Sequence, residues 1–554
     1  MTEAKLLQTP KLPKLPIGIQ TFEKLREGRY LYVDKTKYLI DLIDNGSIYF
    51  LSRPRRFGKS LTISTFDALF SGKRELFDGL YAEEFCSRPD YKTYPVIRLD
   101  MSRVTSNRGI EQVNASITER LEENAKRLGV TLDSSDPAEA LDQLVIRGSE
   151  RHEMPVVMLV DEYDSPMLKF IYRPEKAREI REALHDFYIR IKGVDEFLHF
   201  VFITGISKFS KVGVFSALNS LKDISMKDEY ATMLGYTESE LLSNFDGYID
   251  RTAAKLGENR EETLSQIRDY YDGFSFDGEN RLYNPFSTLN FFDDAKFRNY
   301  WFESGSPSAL VEYVKRHDLE MGSFRGLKAD EDFTSAAEIE QASPESFLYQ
   351  SGYLSVRERN GMELILDYPN KEVLSSVAKL FLYGKFNLSA SERASLDMEK
   401  AMSSGDAEGM VKIYNSLLAS LPHDIYDREE RKYAVKQEEK GNYNPPSHAE
   451  SFYHALLFTL IWASRVNTVA ENHSYWGRSD IEAEKNGRRY VIELKTAEGE
   501  EEAKKAAGEG MRQIREKGYV DRYTHTGVTL IAIAVDREKR RVAEYVIEKL
   551  QPAG

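Results

Sequence analysis

The sequence predicts an α/β protein of several domains: an N-terminal parallel sheet covered by helices, a helical middle region, and a smaller C-terminal α/β domain. Three observations carry this. The first 220 residues alternate short, continuously apolar strands with helical segments, the pattern of a parallel sheet buried on both faces. The middle of the chain is helical in period and punctuated by aromatic clusters. Near the end, Asp480 to Lys495 reads as one hairpin with Asn486-Gly487 at its turn. Length agrees, since 554 residues at ~100–200 per domain imply three or four domains.

In the N-terminal domain, expected over 1–225, the strands are Ile48–Ser52, Val96–Asp100, Pro155–Asp161 and His199–Thr204, and Lys59–Phe70 is a helix. Residues 226–315 are expected to form a helical lid, marked by Gly235-Tyr236-Thr237, Tyr270 to Phe274 and Tyr283-Asn284-Pro285-Phe286. Residues 316–440 are expected to be a mostly helical connection with a β-hairpin around Arg359-Asn360-Gly361. The charged stretch Asp427–Lys440 and the run Asn442 to Ser447 end it as a linker. From 441 to 554 the order is helix (Ala449–Ser464), strand (Val466–Glu471), the hairpin, a charged helix (Glu498–Lys517), then strands Val528–Val535 and Arg541–Ile547.

Composition narrows the class. Hydrophobic residues make up 41% and charged residues 30%. No apolar run reaches the ~18 residues of a membrane span, and Met1 to Pro16 lacks the apolar core of a secretory signal. One cysteine, Cys86, excludes an internal disulfide or a four-cysteine zinc site and suits a reducing compartment, so a cytoplasmic location is expected. Net charge is −14, but residues from Asn442 onward carry 17 basic and 17 acidic groups, so residues 1–441 hold the whole excess. The acidic part favours self-association or a protein partner. The neutral C-terminal part has basic clusters at Arg488-Arg489, Arg512/Arg515/Lys517 and Arg537–Arg541, compatible with phosphate contact or with solvated helix faces.

Two sites carry chemistry. The first is strand, loop, Phe57-Gly58-Lys59-Ser60, helix, the second half of a P-loop. Backbone N–H groups of such a loop and the following helix N-terminus cradle phosphates. Lys59 would reach the β/γ-phosphates and the Ser60 hydroxyl would hold Mg²⁺. Arg55, Arg56, Phe57, Gly58, Lys59, Ser60 and Leu61 are thus the candidate ATP-contacting run, although Arg55 and Arg56 could equally brace the loop. The motif's first glycine is replaced by Arg53. About 100 residues on, an apolar strand ends in Asp161-Glu162. Asp161 could hold Mg²⁺ and Glu162 could orient or deprotonate the attacking water. Thr204, at the end of a later strand, is either a γ-phosphate sensor or part of an ordinary turn.

The second site is the hairpin. With Asn486 and Gly487 as turn residues, Lys485 pairs with Arg488 and Asp480 lies opposite Glu493. Opposed residues share a face with Cβ atoms roughly 5 Å apart, and Lys495 points the same way. Ile481, Ala483, Tyr490, Ile492 and Leu494 make the other, apolar face. Two carboxylates so close repel unless a cation lies between them, and Mg²⁺ takes carboxylate oxygens. That is the material for metal-assisted phosphodiester hydrolysis. A solvated sheet edge with a Glu–Lys pair is the bland alternative.

These residues resemble the AAA-ATPase-like proteins of bacteria and archaea that carry a C-terminal PD-(D/E)XK nuclease domain. The likeness runs through Leu15 to Ile19, Tyr32 to Thr36, Arg53–Ser60, Val160–Tyr163, Thr204–Ser210, Tyr271-Asp272-Gly273, Tyr283 to Phe286 and Ser351 to Leu354, then into Gly477-Arg478-Ser479-Asp480 and Glu493-Leu494-Lys495. Arg53 matches the family's loop. The resemblance implies a P-loop ATPase module with a helical lid, joined to a restriction-endonuclease-like domain. There Asp480 and Glu493 would bind metal, and Lys495 would position water or stabilise negative charge. It further implies a metal-ligating acid on the preceding helix, Glu450, whose other reading is helix-dipole compensation, and a Gln-x(5)-Tyr element at Gln513 and Tyr519, with Gln513 at the scissile phosphate or a metal-bound water or else on a solvated helix face. Arg478 could grip phosphate or pair with Glu493, while His454 and His473 are read as structural.

The expected function is ATP binding and hydrolysis coupled to a Mg²⁺-dependent nuclease acting on nucleic acid, DNA favoured. A rival from another class is an ATP-switched signalling scaffold, or a protein-remodelling ATPase, whose nuclease fold only binds nucleic acid or is inactive.

Overall fold

The computed structural model describes residues 12–106, 109–170, 173–207, 214–215, 218, 220–303, 321–330, 333, 343–384, 391–421, 445–468, 480–516 and 527–551. Two compact units emerge. One draws on Met1–Gly305 and Leu327–Asn370, the other on Ser306–Gly326 and Lys371–Gly554. Among the described residues, no helix is long and apolar enough to cross a membrane.

The first unit is built on β1 (Ile48–Ser52), β2 (Val96–Asp100), β3 (Val156–Asp161), β4 (Leu198–Gly205) and β5 (Lys222–Asp223). All neighbours are parallel, in the order β2-β3-β4-β1-β5. Every residue of β1 and β3 is buried, which is why these strands are apolar throughout rather than alternating. Helices α1 (Lys59–Phe70), α2 (Ile110–Leu128), α3 (Pro137–His152) and α4 (Pro174–Tyr188) lie between the strands in sequence. Local signals set their ends: the Asp136 carboxylate accepts from the backbone of Ala138 and Glu139 at the start of α3, and Gly129 closes α2 in the left-handed region. Because the sheet is parallel, the C-terminal ends of β1, β3 and β4 share one edge. β4 separates the other two, so Thr204 stands between the loop after β1 and the acids after β3.

In the region expected to form a lid, four helices follow: α5 (Glu238–Asn244), α6 (Asp246–Leu256), α7 (Arg260–Tyr271) and α8 (Pro285–Asp294). Reciprocal capping boxes, Thr237 with Glu240 and Asn259 with Glu262, start α5 and α7. Phe245, Tyr248, Tyr271, Phe291 and Phe292 form an aromatic core that also takes in Leu31 and Val33 from the N-terminal segment. The hairpin read near Arg359 is β7 (Ser355–Asn360) with β8 (Glu363–Asp367), turning at Gly361 with φ 67°. Sequence reasoning did not anticipate a third strand, β6 (Leu327–Asp330), which completes a small antiparallel sheet.

The second unit contains α9 (Lys371–Gly384), α10 (Ser391–Ser404), α11 (Ala407–Ala419) and α12 (Pro445–Ala463). Its sheet holds β9 (Asn467–Thr468), β10 (Asp480–Lys485), β11 (Arg488–Ala497), β12 (Val528–Asp536) and β13 (Arg541–Leu550), in the order β13-β12-β11-β10-β9. Only β11 and β12 are parallel, and a parallel pair needs a crossover. Helix α13 (Glu500–Glu516) supplies it. Leu456, Leu457, Leu460, Ile461 and Trp462 of α12 are all buried, as befits a helix apolar on most sides. Helices α10 and α11, read from sequence as part of a connection, are tied into this unit. Lys485 Nζ lies 2.9 Å from Glu399, Tyr490 Oη donates to the Met402 carbonyl at 2.5 Å, and Val542 N donates to Asn415 at 2.8 Å.

Candidate functional site

At the shared edge of the parallel sheet, Gly58 takes φ 102°, a left-handed value that suits glycine, and α1 begins at Lys59. The Lys59 side chain is buried, and its ammonium donates to the carbonyls of Arg53 at 2.8 Å and Pro54 at 2.9 Å. Burial lowers its pKa, while Glu162, Asp161 and Asp164 act in the opposite direction. Burial likewise raises the Glu162 carboxyl, offset by Lys59, and Glu162 holds φ 52°. Non-glycine residues seldom occupy that region outside functional or tightly constrained sites. Thr204 is fully buried and its hydroxyl donates to Asp161 Oδ1 at 2.7 Å, which orients that carboxylate. Ser60 and Leu61, in the first turn of α1, are half-buried. Phe57 is buried as a packing residue, Arg55 is exposed, and Arg56 lies over the Phe286 ring at 4.8 Å.

One acid here escaped sequence reasoning. Asp164 is fully buried and accepts from Ser207 N and Oγ, both at 2.7 Å, and from Ile206 N at 3.1 Å. It pins the turn after Thr204 to the turn after Asp161. Its signal was present, a third acid in Asp161-Glu162-Tyr163-Asp164, but only the sheet order reveals what it faces.

In the second unit the hairpin register is the one implied by the turn. Asp480 pairs with Glu493 and Lys485 with Arg488, and Asn486 and Gly487 take φ 50° and 72°. Ile481, Ala483, Tyr490, Ile492 and Leu494 are buried on one face. The opposite face is covered too. Helix α13 lies over it, and small residues let the helix approach: Ala503, Ala507, Ala497 and Ala534 form one cluster. A Cβ added at Gly510 would sit 3.3 Å from Glu493 Cγ and 3.4 Å from Ala532 Cβ. Glu493 is consequently 0% exposed, so the expected polar face is an interior one. Glu493 Oε1 lies 2.9 Å from Lys495 Nζ, which in turn lies 3.3 Å from Glu450 Oε1 on the first turns of α12. Gln513 follows Gly510 by one turn of α13 and is half-buried. Asp480 is described by its backbone, so its carboxylate lies outside the described groups, as do Arg478, His473 and Tyr519. His454 stacks on Phe458 with ring centroids 6.0 Å apart, a packing role.

A family model described as predicted AAA-ATPase matches residues 16–215, and one described as PD-(D/E)XK nuclease superfamily matches residues 448–545. The chain belongs to the AAA-ATPase-like family and carries a PD-(D/E)XK domain. An Azotobacter chroococcum mcd 1 protein named "uncharacterized protein in vnfD 5′ region" is 34% identical to it over 546 residues, covering 97% of this chain and 99% of that protein.

The donor sets suit the groups these domains use. In the AAA-ATPase-like domain, Ser60 and Asp161 offer hard oxygen ligands beside a helix N-terminus and a buried ammonium. In the PD-(D/E)XK domain, Glu450 and Glu493 converge on one ammonium, so the geometry already accommodates positive charge between them. Among the described side chains no group of three or more His, Cys, Asp or Glu forms a metal cluster, and Asp480 is the acid that would complete one.

The closeness of α13 yields a prediction. Alanine normally stabilises a helix over glycine by about 1 kcal/mol. At exposed Gly508, with nothing within 4 Å of the added Cβ, that gain is expected. At Gly510 the added methyl meets Glu493 and Ala532, so Gly510→Ala is expected to lose about 1 kcal/mol instead. Unfolding of the two variants should move in opposite directions; equal gains would show that α13 does not press on Glu493.

Proposed function

We propose that this protein binds and hydrolyses ATP in its AAA-ATPase-like domain and cleaves phosphodiester bonds of nucleic acid, DNA in particular, in its PD-(D/E)XK domain. ATP acts as the gate. The observation that carries the reading is Glu493: a carboxylate with no exposure, opposite Asp480 in register, paired through Lys495 to Glu450. Burying such charges costs stability that an apolar core would not, and buried acids brought together in this way are a mark of sites where chemistry is done.

In this reading Glu450, Asp480 and Glu493 hold a divalent ion, Mg²⁺ in the cell. Such an ion supplies a bound water of lowered pKa and neutralises phosphate charge. Lys495 orients the attacking water or meets the negative charge that develops on phosphate, and Gln513 contacts the scissile phosphate. In the first unit Lys59 meets the β/γ-phosphates, Ser60 and Asp161 hold Mg²⁺, Thr204 keeps Asp161 oriented, and Glu162 accepts the proton of the attacking water. Gly58 and the first turn of α1 offer backbone N–H groups to phosphate. Arg55, with its exposed side chain, is free to reach a phosphate. A cytoplasmic setting fits the lone, buried thiol Cys86.

The test is a cleavage assay on supercoiled and linear duplex DNA, single-stranded DNA and RNA, with Mg²⁺ or Mn²⁺, with and without ATP. Wild-type protein is expected to cut only when metal is present and at a rate that changes with ATP, and Asp480→Ala to be inactive. A wild type that cuts none of these substrates sinks the nuclease reading. Cleavage that survives in Asp480→Ala assigns it to another site.

A further inference from the structure

Arg53 occupies the position of the first glycine in the usual phosphate loop. Nothing in its own backbone calls for glycine, because the positive φ values in the loop fall at Arg56 (67°) and Gly58 (102°). The side chain turns inward and is 1% exposed. Its guanidinium donates to the carbonyls of Ser52 at 2.9 Å, Ser225 at 2.6 Å and Tyr230 at 3.1 Å, and lies 3.8 Å over the Phe276 ring. Burial pulls its pKa down to about 10, so it stays charged at neutral pH. Its own carbonyl is one of the two that hold the Lys59 ammonium.

The rest of the loop is gripped in the same direction. Trp301 Nε1 donates to the Arg55 carbonyl at 3.0 Å. The Phe57 ring packs edge-on against Phe274 at 4.9 Å and Phe276 at 5.8 Å. Gly352 abuts Pro54 so closely that a Cβ there would sit 2.7 Å from the proline ring. A glycine-rich loop is held through its backbone alone. Here side chains of the loop reach the segment before α5, the strand-like stretch after α7 and the turn before β7.

We propose that Arg53 is a positioning residue for nucleotide binding, and that it replaces glycine because the loop is fastened to the lid rather than left free. This rests on the nucleotide reading of the Lys59 site. Arg53 fixes the carbonyls that aim Lys59. Any displacement of the loop by phosphate is thereby passed to Phe276 and Trp301, and lid position feeds back on affinity, since coupling between two sites is reciprocal.

The common P-loop pattern makes the opposite forecast for one variant, Arg53→Gly, which restores the usual glycine and should be harmless or helpful. Here it is expected to weaken ATP-Mg²⁺ binding at least tenfold by titration calorimetry on the full chain, while Arg53→Lys recovers only part. Trp301→Phe keeps the ring and loses the bond to Arg55, and is expected to weaken binding three- to tenfold with an unchanged circular dichroism spectrum and unfolding midpoint in the absence of nucleotide. Wild type and Lys59→Ala frame the comparison. If wild type binds and Arg53→Gly binds within twofold of it, the proposal is overturned. If Arg53→Gly does not fold, Trp301→Phe decides alone, and wild-type affinity there overturns it. A wild type that binds no ATP refutes the nucleotide reading itself and this proposal with it.

Discussion

Lys495→Ala is expected to abolish metal-dependent cleavage and to loosen the centre of the PD-(D/E)XK domain. Lys495 is an ion-pair partner of the fully buried Glu493 carboxylate and also bridges to Glu450. Removing one partner of a buried pair leaves the other charged in a poor solvent, which costs about 3 kcal/mol or more. Substituting Gln for Glu493 at the same time removes the buried charge, so the double variant should recover most of the stability but none of the activity. Glu493→Gln alone should be inactive yet near wild type in stability, because Lys495 keeps Glu450. Local opening is the right readout in a chain of two compact units, where one global transition is not guaranteed. Amide exchange along β11 and β12 should quicken by about a hundredfold in Lys495→Ala, as 1.4 kcal/mol is one decade in an equilibrium constant. Wild-type exchange rates in that variant would show that Lys495 does not compensate Glu493.

Lys59→Ala is expected to cost at least a hundredfold in ATP affinity, the second large effect. Wild type should gain about 2.7 kcal/mol of stability at ATP concentrations one hundred times its dissociation constant, and the variant almost none. The substitution also leaves Asp161, Glu162 and Asp164 without the buried ammonium that opposes their mutual repulsion. This has a pH signature. The folded-state pKa of Glu162 already lies above its ordinary value because of burial, so the folded protein binds more protons there than the unfolded one. Stability from this group is greatest below the ordinary carboxylate range and falls as pH rises toward the folded value. Lys59 lowers that folded value, so its loss widens the window. As pH rises from the ordinary glutamate value, about 4.3, toward the raised folded value, Lys59→Ala should therefore lose more stability than wild type does. Parallel stability profiles for the two proteins would contradict the coupling.

What the sequence could determine was local. Continuous apolar runs gave β1 and β3 because a strand covered on both faces must be apolar at every residue. Asn486-Gly487 set the pairing of Asp480 with Glu493, since two consecutive left-handed residues admit one tight hairpin geometry. Gly58 before Lys59 marked a loop whose backbone must turn where other residues are strained. The choices left to the tertiary structure were non-local. Strand order alone inserts β4 between β1 and β3 and so delivers Thr204 to Asp161, 43 positions away. The same order gives Asp164 its three donors and, by setting β5 beside β1, brings the Ser225 carbonyl to the Arg53 guanidinium. In the PD-(D/E)XK domain the sequence placed Glu493 on a polar face. Packing of α13 through Ala507 and Gly510 turned that face into an interior one, because a helix without side chains at those points can come within contact of the carboxylate it covers. Local chemistry thus named the candidate groups, and burial, which no single segment controls, set their partners.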